Sequence, residues 1–159
     1  MSVFSNVILI VMFTAIAIWL FHGWYKTRNL KYKDKQWTTG RILFLIAGIL
    51  CVLTAFVYST LLDWLRLITM MLCVVGFLLL RDGVGDDGLA VLGKLTPYSN
   101  IRAYDYGDYK KEFRVYAITN DSDGSDPNVI VSLTKEEKEE VIRYLKKMMG
   151  KKYTRLKKG

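Results

Sequence analysis

Reactive side chains are scarce in this chain. Its 159 residues hold one histidine, His22, and two cysteines, Cys51 and Cys73. A multi-histidine metal centre cannot be built from one imidazole. Both cysteines lie inside apolar runs, where a thiol behaves as a small hydrophobe, and their spacing suits neither a disulfide framework nor a metal site. No cofactor, metal or catalytic residue is assigned. Charge is missing as well, over long stretches. Nothing before Lys26 carries it, and Ile42 to Leu62 and Leu67 to Leu80 are also charge-free.

A helix needs roughly 20 mainly apolar residues to cross a hydrocarbon core of about 30 Å. The charge-free runs therefore predict an integral membrane α-helical domain over 1–81, with three transmembrane helices at about 7–24, 42–58 and 64–80. No basic segment precedes the first run, so it reads as an uncleaved anchor rather than a signal peptide. His22, Trp24 and Tyr25 close it, residues that suit the headgroup level.

Basic residues set the expected orientation. Lys26, Arg28, Lys31, Lys33, Lys35 and Arg41 stand against Asp34 in the connector after the first run. Lys and Arg near helix ends are retained in the cytoplasm. The N-terminus is then outside, the second and third helices form a hairpin turning outside near Tyr58 to Asp63, and the C-terminus is cytoplasmic. Arg66 fits only near the outer end of the third helix, three residues from Asp63 and able to pair with it. At the bilayer centre it would cost about 2.5–3.5 kcal/mol.

From Arg81 onward there are 16 Lys/Arg and 13 Asp/Glu, so the overall charge of +8 is not the footprint of a nucleic-acid-binding domain. Arg81 to Gly88 reads as a flexible exit from the membrane. Period-two segments follow at Leu89–Lys94, Ile101–Tyr106, Phe113–Thr119 and Val129–Leu133, separated by turn-forming residues. In the third segment Phe113, Val115 and Ala117 form the drier face. Thr134 with Glu137 fits a capping box opening a helix. Its apolar stripe is Val141, Ile142, Leu145, Met148 and Met149, and Gly150 stops it. An amphipathic helix after short strands needs a sheet to cover, which gives a small cytoplasmic α+β domain over 88–150: a bent antiparallel sheet capped by a C-terminal helix.

The series Gly88 to Lys94, Pro97-Tyr98-Ser99-Asn100-Ile101, Tyr104-Asp105-Tyr106, Phe113 to Tyr116, Val129 to Val131 and Glu136 to Lys147 resembles small bacterial membrane proteins with a cytoplasmic pleckstrin-homology-like (PH-like) domain. The resemblance implies a PH-like fold and a bacterial plasma-membrane location. Four or five strands are evident, fewer than a complete domain of that class has, and it supplies no catalytic residues.

Several motifs fail on context. Gly83-Val84-Gly85-Asp86-Asp87-Gly88 matches a dinucleotide fingerprint, but a membrane helix precedes it and a strand follows, the reverse of what pyrophosphate binding needs. Gly88 to Lys94 approaches a P-loop but has Leu95 where the Ser/Thr belongs. Asp121, Asp123 and Asp126 make an acidic loop without calcium-loop spacing. The basic tail, 151–159, is different in kind. Lys151, Lys152, Arg155, Lys157 and Lys158 run without an acid, and each can contribute about 1 kcal/mol beside an anionic leaflet.

The resulting expectation is a non-enzymatic bacterial membrane protein whose cytoplasmic domain is a protein-interaction or lipid-facing module. Its partners are the bilayer, chiefly the anionic inner leaflet, and a membrane-protein partner or second copy, with no nucleic acid. Two rival readings are an immunity factor against membrane-active peptides and a small accessory subunit of a transporter or cell-envelope complex.

Overall fold

Three helices in the first half of the chain are long and apolar enough to cross a membrane. They are seen in a computed structural model that describes residues 3–35, 37–124 and 126–156. Helix α1 runs Val3–Thr27. Helix α2 runs Thr39–Leu53 and tightens into a final turn at Thr54–Val57. Helix α3 runs Leu61–Leu79. The first brackets its expected run, and the other two start three residues before theirs and end one residue short. The chain groups into two compact units, 1–25 with 36–80 and 26–35 with 81–159.

Within the first unit, small residues mark where helices approach. Gly76 of α3 leaves room for Leu20 of α1, its missing Cβ standing 3.0 Å from the Leu20 Cβ. Gly48 of α2 lies against Val74 in the same way. Ala17, Leu20, Cys73 and Leu80 form the buried cluster, with Phe13, Phe21 and Phe77 packed on it. Polar groups are tied off at the ends. Thr60 and Asp63 form a reciprocal capping box at the start of α3. Arg66 donates to Asn6 Oδ1 at 2.6 Å and pairs with Asp63 at 3.7 Å, while Asn6 donates to Asp63 at 3.1 Å. Arg66 thus pairs as its spacing suggests, and α1 contributes a third member that the spacing did not reveal.

Among the described residues, the second unit has seven strands and one α-helix. Strands β1 (Leu30–Lys33), β2 (Gly83–Gly85), β3 (Gly88–Val91) and β4 (Lys94–Pro97) form one antiparallel sheet in that order. Strands β5 (Ile101–Tyr109), β6 (Glu112–Thr119) and β7 (Val129–Leu133) form a second. Helix α4 spans Lys138–Met149. Two sheets therefore replace the single bent sheet, and two expectations are corrected. The supposed flexible exit, 81–88, holds a fully buried strand, because Val84 is a core residue and Gly83 lies so close to β1 that a Cβ would overlap the Tyr32 carbonyl oxygen. Its glycines serve close strand packing. The basic connector supplies β1, so the unit is wider than 88–150 and discontinuous in sequence.

One core joins both sheets to α4. Val84, Leu89, Ile101, Tyr104, Phe113, Val115, Val131, Val141 and Leu145 belong to it. Val141, Leu145 and Met149 point inward at four-residue spacing, and Met148 turns outward. A fully buried aliphatic side chain contributes about 1.5–3 kcal/mol relative to exposure, so this stripe holds α4 in place. In β6 the inner residues are Phe113, Val115 and Ala117, but Tyr116 and Ile118 on the other face are also buried. The Thr134 capping box does not form. The helix begins at Lys138, with Glu137 as a cap residue that makes no side-chain capping bond.

Candidate functional site

The residues expected to act at a membrane surface divide into a neck, 26–35 with 81–82, and a C-terminal segment. At the neck, two chain segments that lead to or from apolar helices are laced together. Arg81 Nε donates to Asp34 Oδ1 at 2.8 Å, its Nη2 donates to the Asp34 carbonyl, and the Asp34 N–H donates to the Asp82 carbonyl at 2.8 Å. Asp34 is buried, so its charge is matched rather than solvated. A buried carboxylate without such a partner would be costly.

The six charges of the connector have different fates. Lys33 Nζ donates to the Arg28 carbonyl at 3.2 Å. Lys31 lies over the rings of Tyr144, at 4.7 Å, and Tyr32, at 5.7 Å. Arg41 is buried and donates to the Leu80 carbonyl at 2.6 Å, satisfying the last turn of α3. Lys26, Arg28 and Lys35 have exposed side chains. Sequence reasoning saw this segment as a topology signal, yet Lys31, Lys33 and Arg41 also perform structural tasks.

Beside the neck, Tyr32, Tyr144 and Tyr98 form a small aromatic group. Tyr32 and Tyr144 meet edge to face at 5.6 Å, Tyr144 donates its hydroxyl to Asp86, and Tyr98 donates to the Gly85 carbonyl at 2.6 Å. Burial and then the Asp86 hydrogen bond push the Tyr144 phenol up to about 12. Burial, followed by the field of Tyr144, Asp86 and Asp87, raises Tyr98 as well. In this arrangement the Tyr144 and Tyr98 hydroxyls serve as hydrogen-bond donors.

The described part of the C-terminal segment is anchored to the strands. Lys152 Nζ donates to the carbonyls of Tyr98, at 2.8 Å, and Ile101, at 2.7 Å. Thr154 N–H bonds the Tyr104 carbonyl at 3.0 Å and Leu156 N–H bonds Asp105 at 3.2 Å, while the Tyr153 ring meets Tyr104 edge to face and Tyr106 at a tilt. Lys152 is therefore committed internally, whereas Lys151 and Arg155 are exposed. Lys157 and Lys158 lie outside the described residues. An all-basic run has no sequence mark that separates an inward-reaching lysine from a solvated one.

Two hairpin tips are also exposed. At the β5–β6 tip, Tyr109, Lys110, Lys111, Glu112 and Arg114 line an open depression of about 490 Å³. The Arg114 guanidinium lies 3.8 Å from the Tyr109 ring centroid and 3.2 Å from Glu112, so its charge is partly spent locally. At the β3–β4 tip, Leu92 and Gly93 form a two-residue turn with φ of 49° and 78°. A leucine in that left-handed conformation costs roughly 1–2 kcal/mol. The second tip corrects an expectation: Leu89–Lys94 reads as one strand, but the structure breaks it at Leu92–Gly93 into the end of β3 and the start of β4.

Residues 80–150, under half of the chain, match the family model described as a domain of unknown function, DUF5673. The match covers β2 through α4 and omits β1. No curated protein and no solved structure matches the chain.

Proposed function

We propose that the chain is a non-enzymatic membrane protein whose sheet-and-helix unit works at the bilayer surface as a lipid-facing or protein-interaction module. The observation that carries this reading is the interleaving of the two units. The β1–β2 connection is the α2–α3 pair itself, and α1 leads into β1. The unit is thereby tethered to apolar helices at three chain crossings. Such tethering holds its surface at high effective concentration beside lipid without any new contact. The orientation we favour is N-terminus outside and C-terminus in the cytoplasm of a bacterial cell, on the basic excess of the neck.

The PH-like reading belongs to the same proposal. Support for it comes from strand number and order, four plus three antiparallel strands followed by a C-terminal helix. The exposed cations Lys26, Lys35, Lys151 and Arg155 would meet anionic headgroups, each contributing about 1 kcal/mol near the surface.

Reporter fusions test the topology. Reporters after Gly40 and after the C-terminus should read cytoplasm, and one near Ser59 should read exterior. An exterior C-terminal signal would overturn the reading. Deletion strains distinguish the roles. Sensitivity to membrane-active peptides would favour an immunity factor, and loss of a co-purifying envelope complex would favour an accessory subunit.

A further inference from the structure

We propose that the β3–β4 turn is a lipid anchor: Leu92 seats its side chain at the acyl boundary of the bilayer, with Lys94 at the headgroups beside it. This rests on the reading of the three apolar helices as membrane spans. Leu92 is 59% exposed, more than any other large apolar side chain described in the unit formed by 26–35 and 81–159. Turn formation does not account for it. Both central residues have positive φ, a geometry that Asn-Gly or Asp-Gly adopts with less strain and without exposing an apolar group.

Placement supplies the rest of the argument. The Leu92 N–H donates to Asp82 Oδ1 at 2.6 Å, and Asp82 is three residues beyond Leu79, the end of α3. The turn is thus pinned to the chain where it has just left an apolar helix. Sheet register agrees. Lys33 pairs with Gly83, Gly83 with Ala90, and Val91 with Lys94, so the Leu92 turn lies at the same end of the sheet as the β1–β2 connection through α2 and α3. One Asp82 carboxylate oxygen accepts the Leu92 N–H, and Lys94 is exposed. An exposed apolar residue with a cation beside it suits the boundary between headgroup and acyl chain.

The test uses the full chain with Cys51→Ala and Cys73→Ala, reconstituted in phosphatidylcholine vesicles containing some phosphatidylglycerol. A single environment-sensitive fluorophore is attached to Leu92→Cys, to Asp123→Cys or to Ile49→Cys. Asp123 lies in the acidic loop, whose Asn120 and Asp121 are held to Ser99 and Asn100, beyond the end of β4 away from Leu92. Ile49 is exposed on α2 and reports the membrane reading itself. The label at position 92 should be quenched by brominated lipid severalfold more than the label at 123, and by aqueous iodide severalfold less. A label at 92 that matches the one at 123, while the one at 49 is quenched by lipid, overturns the anchor alone. A label at 49 that lipid does not quench overturns the membrane reading and the anchor with it.

Discussion

The two units differ in what they expose. In the helical unit, large apolar side chains point outward, with Phe56 at 92% and Val57 at 84% exposure, while Asn6 and Arg41 are buried. In the sheet-and-helix unit, Tyr104, Phe113, Leu89 and Leu145 are buried and the exposed positions of α4 are mostly charged. The second pattern is what water selects, since apolar area removed from it is stabilising at about 25 cal/mol per Å². The first suits hydrocarbon, where Leu gains nothing by leaving solvent and helices meet through small residues and satisfied polar groups. The change from one pattern to the other falls at the neck, where the apolar helices give way to strands.

The comparison is broken most severely by removing β1. Residues 81–159 alone leave the β2 edge unpaired and Val84 uncovered on one side, so this piece should aggregate or fail to give a dispersed NMR spectrum. Joining 26–35 to 81–159 through a short Gly-Ser turn should restore a soluble fold, because Lys33 and Gly83 are already paired neighbours. Equal behaviour of the two pieces would show that β1 is dispensable.

A smaller effect separates the units. Leu145→Asp in the full chain places an unpaired charge at a fully buried position and should destabilise the sheet-and-helix unit by about 4 kcal/mol or more. In detergent, protease should then cut 81–159 readily while the helices stay protected. Unchanged protection would refute the packing of α4 on the sheets.

The smallest effect probes the helical unit. Asn6→Ala removes two hydrogen bonds to the Arg66–Asp63 pair but leaves the ion pair itself. A loss of about 1 kcal/mol is expected, measured by denaturant unfolding in detergent. A loss as large as that from Leu145→Asp would mean that the helical unit depends on its polar end as strongly as the other unit depends on its core.

Some elements were legible because their cause is local. The three apolar runs became α1, α2 and α3, β7 has the expected bounds Val129–Leu133, and α4 ends beside Gly150 as its stripe implies. Capping shows where local signals stop. Thr60 with Asp63 and Thr134 with Glu137 present the same spacing, yet only the first pair caps a helix. The Thr134 pair fails because α4 starts only at Lys138, after a turn at 136–137. Strand β1 was illegible for a further reason. Leu30-Lys31-Tyr32-Lys33 alternates, but its lysines also read as a topology signal, and four residues carry little periodicity.

Composition and order of residues by themselves determined the division of this protein into an apolar helical part and a polar sheet-and-helix part, because hydropathy and periodicity are sums over neighbours. Tertiary structure alone decided that Leu30–Lys33 crosses some 50 positions to pair with Gly83–Gly85, that Lys152 turns inward to two carbonyls, and that Leu92 is held at Asp82. Each depends on partners distant in sequence, and the free energy of such a contact exists only once the chain between them has closed its loop.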